Sequence, residues 1–160
     1  MEMRRYILDG GQTIVKMPAE ENAEFLKEVW FNSTFEKNQL CIETWTENKI
    51  AIGEASFLPL RDKEEYAISI TERGVGISAR DRDCLRRGFM ALLMRFIAVE
   101  QEGECCASLP VGEVHGVFGV SRRMIHLCLF PEHDFIFVRR LIRYYCALQY
   151  THIEIGRAHV

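Results

Sequence analysis

The feature that most constrains the fold of this chain is a strand, a helix and a second strand that follow one another with short connections. Residues 124–130 form a nearly continuous apolar run, which is typical of a strand buried on both faces in a parallel sheet. Residues 135–148 have a helical pattern of apolar positions, and residues 150–153 begin another strand. This order is that of a βαβ unit, which implies a parallel sheet. One such unit cannot make a sheet by itself, so the pattern predicts the beginning of a larger α/β domain.

The preceding part of the chain has a different pattern. Residues 66–70 and 75–78 each alternate apolar and polar side chains, and a glycine-containing turn separates them, which predicts a β-hairpin with one face on a core. Apolar residues recur every three or four positions from Leu85 to Ile97, and this stripe predicts a long helix over residues 81–99.

The first fifty residues add further elements. Residues 4–9 and 13–17 predict a second hairpin around a glycine pair, and residues 19–31 predict a helix. Residues 41–45 alternate as a strand, with residues 49–52 as a candidate partner. Together with the elements above, these segments predict an α+β domain in which helices pack on one face of an antiparallel sheet.

Composition limits the kinds of partner. The net charge of −3 argues against the basic surface that nucleic-acid binding usually needs. The longest apolar run is well short of the roughly 20 residues of a membrane span, and no apolar region follows the N-terminal arginines as in a signal peptide. We therefore expect a cytoplasmic protein without nucleic-acid or membrane partners. The charged groups expected on solvated surface are Glu64, Glu65, Arg80, Arg82, Arg86 and Arg87.

The six cysteines form no metal-binding or redox motif, because no C-x-x-C occurs. Neither a metal nor a cofactor is therefore expected. Cys41, Cys128 and Cys146 lie in apolar patterns and are interpreted as small core residues. The adjacent Cys105 and Cys106 are either a vicinal pair or part of a partly buried strand in a reducing compartment, and the second interpretation is favoured.

Two stretches occur in an order that resembles a known family. The first, YAISITERGVGISARDRDCLRRGF over residues 66–89, is similar to the Y-x-I-x-I … I-x-I-x-A-x-D-x-x-G-x-x-x-G stretch of glycoside hydrolase family 20, the β-N-acetylhexosaminidases. In that family the stretch precedes the long helix of an α+β domain, and a (β/α)8 TIM barrel follows. The second stretch is residues 118–153. In it, Arg122 matches the Arg that begins the family's first barrel strand, and residues 147–151 stand at the junction of the family's first helix and second strand.

The resemblance implies both a fold and a chemistry. Residues 1–110 would be the α+β domain, and residues 111–153 the first βαβ portion of the barrel. The parent protein would cleave terminal N-acetylhexosamine from glycans with retention, because the sugar's own 2-acetamido oxygen attacks the anomeric carbon. A Glu protonates the leaving oxygen and an Asp orients the acetamido group. That Asp-Glu pair lies on a later barrel strand, so no catalytic residue is expected in this chain.

The resemblance also points to Arg122 and Arg123 as substrate-binding residues. In the family the matching Arg reaches hydroxyls of the terminal sugar, and a guanidinium fork suits paired sugar oxygens. Successive strand residues point to opposite faces, so only one of the two can line a barrel interior, and the alignment favours Arg122. The alternative is a surface ion pair for both. Arg123, Leu127 and Phe130 stand where the family has Gly, Asp and a second Arg, which leaves open a non-catalytic carbohydrate- or partner-binding protein of the same architecture.

Two carboxylates, Glu132 and Asp134, follow the end of the first predicted barrel strand, the side on which barrel enzymes keep their sites. They are either a catalytic pair, with His133 as a helper, or Asp134 caps the next helix by accepting an N–H of its first turn. Residues 132 and 134 alternate in an extended segment and need not converge, so the sequence favours the cap. His126, inside the apolar run, is expected to be a hydrogen-bonded core residue.

The last seven residues, EIGRAHV over 154–160, do not continue the apolar pattern of the strand before them. Back-translation as GAG ATC GGA AGA GCA CAC GTC contains the start of a common sequencing adapter. The hypothesis is that residues 154–160 are a non-native read-through tail and that the gene was cut near residue 153. The alternative is a natural polar tail.

Overall fold

The structure is a computed structural model that describes residues 4–8, 11–19, 23–35, 37–130 and 132–157. The chain divides into two compact units, Met1–Val117 and Phe118–Val160. The helices and strands of the first unit are β1 (Arg5–Leu8), β2 (Gly11–Met17), α1 (Ala23–Ser33), β3 (Asn38–Thr44), β4 (Lys49–Gly53), β5 (Glu64–Ile70), β6 (Gly74–Ala79), α2 (Arg82–Leu93), β7 (Ile97–Gln101), β8 (Glu104–Pro110) and β9 (Gly112–Val117). Those of the second unit are β10 (Met124–Leu129), α3 (Phe135–Ala147) and β11 (His152–Arg157).

The first unit is an α+β structure, as the sequence predicts. Its larger sheet has the strand order β3-β2-β4-β6-β5-β9, in which β2 and β3 are parallel and the other neighbours antiparallel. A smaller antiparallel sheet has the order β1-β8-β7. The predicted β5–β6 hairpin is confirmed. The sequence places the domain boundary at residue 110, whereas β9 pairs with β5 and extends the first unit to Val117.

The core of this unit lies between the larger sheet and the two helices α1 and α2. Trp30 of α1 stacks on Phe89 of α2 with ring centroids 6.2 Å apart, and Phe96 meets its edge at 5.4 Å. The fully buried indole N–H of Trp30 donates to Asn38 Oδ1 at 3.1 Å, so this buried donor has a hydrogen-bond partner. Helix α2 begins where Asp81 accepts the Cys84 N–H at 2.7 Å.

On the opposite face of the larger sheet, the segment of residues 54–57 covers the glycines of β6. A Cβ on Gly76 would lie 2.0 Å from the Ser56 carbonyl oxygen, so only glycine lets this backbone approach the sheet. The hydroxyls of Ser56 and Ser69 lie 2.8 Å apart and form a hydrogen bond across the same contact. The G-V-G-I-S pattern of β6 thus places its bulky residues on the helix side and its glycines under the covering segment.

Three predictions about the first unit are wrong in their pairing or length. Residues 4–9 and 13–17 do not form a hairpin in the described residues, because β1 pairs with β8 and β2 enters the larger sheet. Strands β3 and β4 are not partners, because β2 lies between them. Helix α2 ends at Leu93 rather than near residue 99, and β7 begins at Ile97.

The second unit contains the predicted strand, helix and strand. β10 and β11 pair in parallel from Met124↔His152 to Leu129↔Arg157, so β11 runs into the segment that the sequence separates as a tail. The prediction that β10 is buried on both faces is wrong. Leu127 is buried, and Met124 is 48% exposed. In the part of the chain that the structure describes, no helix is both long and apolar enough to cross a membrane.

Candidate functional site

Arg123 acts as a structural tie within the second unit. Its Nε donates to the Gln149 carbonyl at 2.8 Å, and another guanidinium nitrogen donates to the Val120 carbonyl at 2.7 Å. The guanidinium lies over the Phe118 ring, with 3.9 Å between the Arg123 Cζ and the ring centroid. These contacts join the start of β10 to the turn after α3. The guanidinium is therefore committed to the fold and poorly placed to serve as a sugar ligand.

The backbone of Arg123 strengthens this tie. Its N–H donates to Thr151 Oγ1 at 2.9 Å, and its carbonyl accepts the Thr151 N–H at 2.8 Å. These contacts lie where β11 begins beside β10.

Arg122 is placed differently from its neighbour. It is exposed, whereas Arg123 is half-buried. Along β10, Ile125, Leu127 and Leu129 are the more covered residues, and Met124, His126 and Cys128 are exposed. Because strand side chains alternate, Arg122 extends the exposed set and Arg123 the covered set. Of the two predicted substrate-binding residues, Arg122 is the exposed one.

Of the two carboxylates after β10, Asp134 caps helix α3. Asp134 has extended backbone angles and accepts the Phe137 N–H at 2.6 Å, so it is the N-cap of α3, as favoured from the sequence. Glu132 is exposed. With the Asp134 carboxylate occupied by the helix terminus, these two residues do not form a ready acid–base pair.

His133 completes this turn rather than assisting a reaction. Its Nδ1 accepts the Phe130 N–H at 3.3 Å, and its backbone N–H donates to the Phe130 carbonyl at 3.0 Å. The imidazole lies between two aromatic rings, 5.4 Å from that of Phe130 and 4.8 Å from that of Phe137. The hydrogen bond fixes the ring in the turn, a role that the sequence pattern did not indicate.

His126 is not a core residue as predicted. Its side chain is 53% exposed, and its Nδ1 lies 3.5 Å from Glu154 Oε2 on the neighbouring strand. A Cβ on Gly156 would lie 2.6 Å from His126 Nε2, so the small residue at position 156 leaves room for the imidazole. The exposed face of β10 and β11 thus carries His126 and Glu154, and Arg122 precedes it by two residues on the same side. Together these groups can donate to and accept from hydroxyl groups.

Of the six charged groups of the first unit that were expected on the surface, Arg80, Arg82 and Arg86 are exposed, whereas Glu64, Glu65 and Arg87 are largely buried. Arg87 Nε donates to Glu65 Oε2 at 2.9 Å, and these side chains are only 20% and 13% exposed. Glu64 is 3% exposed, accepts the Arg61 N–H at 2.8 Å and lies 3.0 Å from His115 Nδ1. The two pairs join β5 to α2 and β9, which is a structural role.

The cysteines show no reactive or metal-binding arrangement in the described residues. All six are free, and no group of three or more His, Cys, Asp or Glu side chains could hold a metal ion there. Burial raises the pKa of the Cys84 thiol, and its hydrogen bond with Asp81 acts in the same direction. Burial also raises the pKa of Cys146. A thiol with a raised pKa is a poor nucleophile near neutral pH.

Comparison with known proteins adds no assignment. Neither a scan against protein-family models nor a search of the curated proteins finds a match to this chain.

Proposed function

We propose that this chain is the N-terminal part of a glycoside hydrolase that resembles the β-N-acetylhexosaminidases. In this proposal the α+β unit precedes a (β/α)8 barrel, and β10, α3 and β11 are the first strand, helix and strand of that barrel. The parent protein would release terminal N-acetylhexosamine by the substrate-assisted retaining mechanism. The catalytic Asp-Glu pair would lie on a later strand, so these 160 residues alone would be inactive.

The observation that carries the proposal is the parallel β10–α3–β11 unit, which leaves apolar surface in water. Phe135 is 80% exposed and Ile136 62%. Parallel sheets occur almost only with both faces covered, so a parallel pair with this exposure suits a larger α/β structure. Its position after an α+β unit with the β5–β6 hairpin and α2 gives the order of parts found in the family.

Arg122 is the residue of this chain to which the proposal gives a substrate contact. It lies two residues before β10, in step with the exposed Met124 and His126, and this side of β10 would line the barrel interior if α3 packs outside. A guanidinium there can donate to two neighbouring sugar hydroxyls. Arg123 is excluded from this role because its guanidinium holds the carbonyls of Gln149 and Val120.

A non-catalytic carbohydrate- or partner-binding protein of the same architecture is the second candidate. It is favoured by Leu127, which stands where the family has an Asp and which is 7% exposed. A buried leucine cannot replace a carboxylate that binds sugar hydroxyls. Under this reading the strand would keep its place in the fold but lose part of the family's substrate contacts.

The test is to recover the complete open reading frame and assay its product. The enzyme proposal expects an adjacent Asp-Glu at the end of a later strand and release of 4-nitrophenol from 4-nitrophenyl N-acetyl-β-D-glucosaminide. Replacing Arg122 by Ala should lower kcat/KM about tenfold or more, the loss of a charged hydrogen bond. Arg140→Ala, an exposed arginine on α3, is the matched control and should leave the rate unchanged.

A folded product without the Asp-Glu pair and without turnover would reject the hydrolase and favour the binding protein. An active product whose rate is insensitive to Arg122→Ala would instead refute the role given to that side chain.

A further inference from the structure

A concave surface is formed by residues of the first unit alone. It is a groove of about 430 Å³ over strands β2, β3 and β4, bounded by Lys16, Glu43, Trp45, Ala51 and Phe57 among others. It lies on the side of the sheet away from the helices, because Ala51 alternates with Ile50, which faces Leu85 and Phe89 of α2. Its volume is within the range of about 300–1,000 Å³ that is usual for small-ligand sites.

The sheet register builds the floor of the groove. Lys16 stands opposite Glu43 on one neighbouring strand and opposite Ala51 on the other, so the three side chains form a row across the sheet. The small side chain of Ala51 leaves space above the sheet next to two exposed charged side chains of opposite sign, Lys16 and Glu43. The groove therefore offers both a donor and an acceptor without a strong net charge.

Two aromatic side chains, which contact each other, line one part of the groove. The centroids of the Trp45 and Phe57 rings are 5.9 Å apart, and their planes are inclined at 55°. Trp45 is positioned by its backbone N–H, which donates to the Met17 carbonyl at 2.7 Å. Phe57 belongs to the segment that lies over Gly76, and Lys49 Nζ is 4.9 Å from its ring centroid. Both rings are only half-buried, so part of each remains open to a ligand.

We propose that this groove binds a hexopyranose ring of a glycan. The C–H face of a pyranose is apolar and packs on an aromatic side chain, while its equatorial hydroxyls both donate and accept hydrogen bonds. The tilted Trp45 and Phe57 rings match the first requirement, and the Lys16–Glu43 pair matches the second. The balanced charge disfavours a phosphorylated ligand, which would need an excess of cations. The site lies wholly within the first unit and does not depend on the barrel or on catalysis.

The test is to titrate the 160-residue chain separately with N,N′-diacetylchitobiose, cellobiose and maltose. The chain has two tryptophans, and Trp30 is fully buried, so a saturable change in fluorescence would report Trp45. Calorimetry then measures the variants. Trp45→Ala should weaken binding about tenfold or more, as truncation of a central aromatic side chain does. Glu43→Ala should weaken binding as well. Because Glu43 is exposed, this variant should fold even if Trp45→Ala does not.

Phe31→Ala is the matched control, because Phe31 is an exposed aromatic residue of α1 outside the groove. Its affinity for the sugar should equal that of the unaltered chain. The proposal is overturned if none of the three disaccharides binds, or if Trp45→Ala and Glu43→Ala bind as tightly as the Phe31→Ala control. Because no turnover is measured, failure of the glycosidase proposal leaves this result unaffected.

Discussion

The covering segment over Gly76 gives the sharpest prediction about the fold. Replacing Gly76 by Ala would put a Cβ 2.0 Å from the Ser56 carbonyl oxygen and 3.0 Å from Phe57 Cδ1. Ordinary contact begins at 3.4 Å, so the two backbones would have to separate by more than 1 Å. In an unobstructed strand the same change would stabilise the protein by roughly 0.5–1 kcal/mol, because alanine loses less backbone entropy than glycine. Gly76→Ala is therefore predicted to destabilise the protein, although strand propensity alone would predict that it stabilises it.

The magnitude follows from two losses at the same contact. Forcing an extra carbon into a packed site costs about 1–3 kcal/mol. Displacing the segment also breaks the Ser56–Ser69 hydrogen bond, which contributes about 1 kcal/mol. After the entropy gain is subtracted, the free energy of unfolding should fall by about 2 kcal/mol.

Urea unfolding followed by tryptophan fluorescence measures this loss, because both tryptophans, Trp30 and Trp45, lie in the first unit. Ser69→Ala provides a second arm. If both changes act by releasing the covering segment, the double variant should lose less stability than the two single losses added together. The reasoning is refuted if Gly76→Ala is as stable as the unaltered chain or more stable, or if the two losses are additive.

Three further predictions concern caps and cysteines. Asp134→Ala should destabilise α3 by about 1 kcal/mol and speed hydrogen exchange at the Phe137 amide, whereas Asp134→Asn should retain most of the protection. The hydrogen bond from the Cys84 N–H lowers the pKa of Asp81 below its usual 3.8. The Asp81 carboxylate therefore stabilises the fold above about pH 4, and this contribution is lost as the pH falls through the lowered pKa. Asp81→Asn should make the free energy of unfolding less dependent on pH in this acid range. Iodoacetamide at pH 8 should modify exposed Cys105 well before buried Cys84, as mass spectrometry of the peptides can show.

Local patterns predicted the elements of this fold better than their partners. The β5–β6 hairpin and the α3 helix follow from alternation and helical spacing, which depend only on neighbouring residues. The glycine pair before residue 12 is typical of a hairpin turn, but β1 and β2 belong to two different sheets. The apolar stripe of α2 continued through Phe96 and Ile97, although Phe96 packs on Trp30 beyond the helix and Ile97 begins β7. Pairing between distant segments leaves no mark of this kind in a local window.

The candidate site was predictable to a similar extent. The cap at Asp134 could be inferred because a capping side chain acts on its own helix. The tie made by Arg123 could not, because it depends on where Gln149 lies in space, 26 residues later in the chain. The Trp45–Phe57 groove was not predicted from the sequence either. Gly76 lies between two buried β-branched residues, a pattern that indicates close backbone approach and could have pointed to that face of the sheet.

The exposed face of β10 offers a direct test of the proposed barrel, and it can be probed at Met124. A nearly continuous apolar strand is expected to be covered on both faces, yet Met124 is 48% exposed while Met17 and Met90 are 2% and 7% exposed. Hydrogen peroxide should therefore oxidise Met124 of the 160-residue chain faster than the two buried methionines. If β10 is the first strand of a barrel, Met124 shares the interior face with Arg122, and the product of the complete gene should protect it at least as well as Met90. Equal oxidation of Met124 in the short and the complete protein would mean that further chain does not cover this face, and the barrel would have to be abandoned even if sugar binding in the first unit were found.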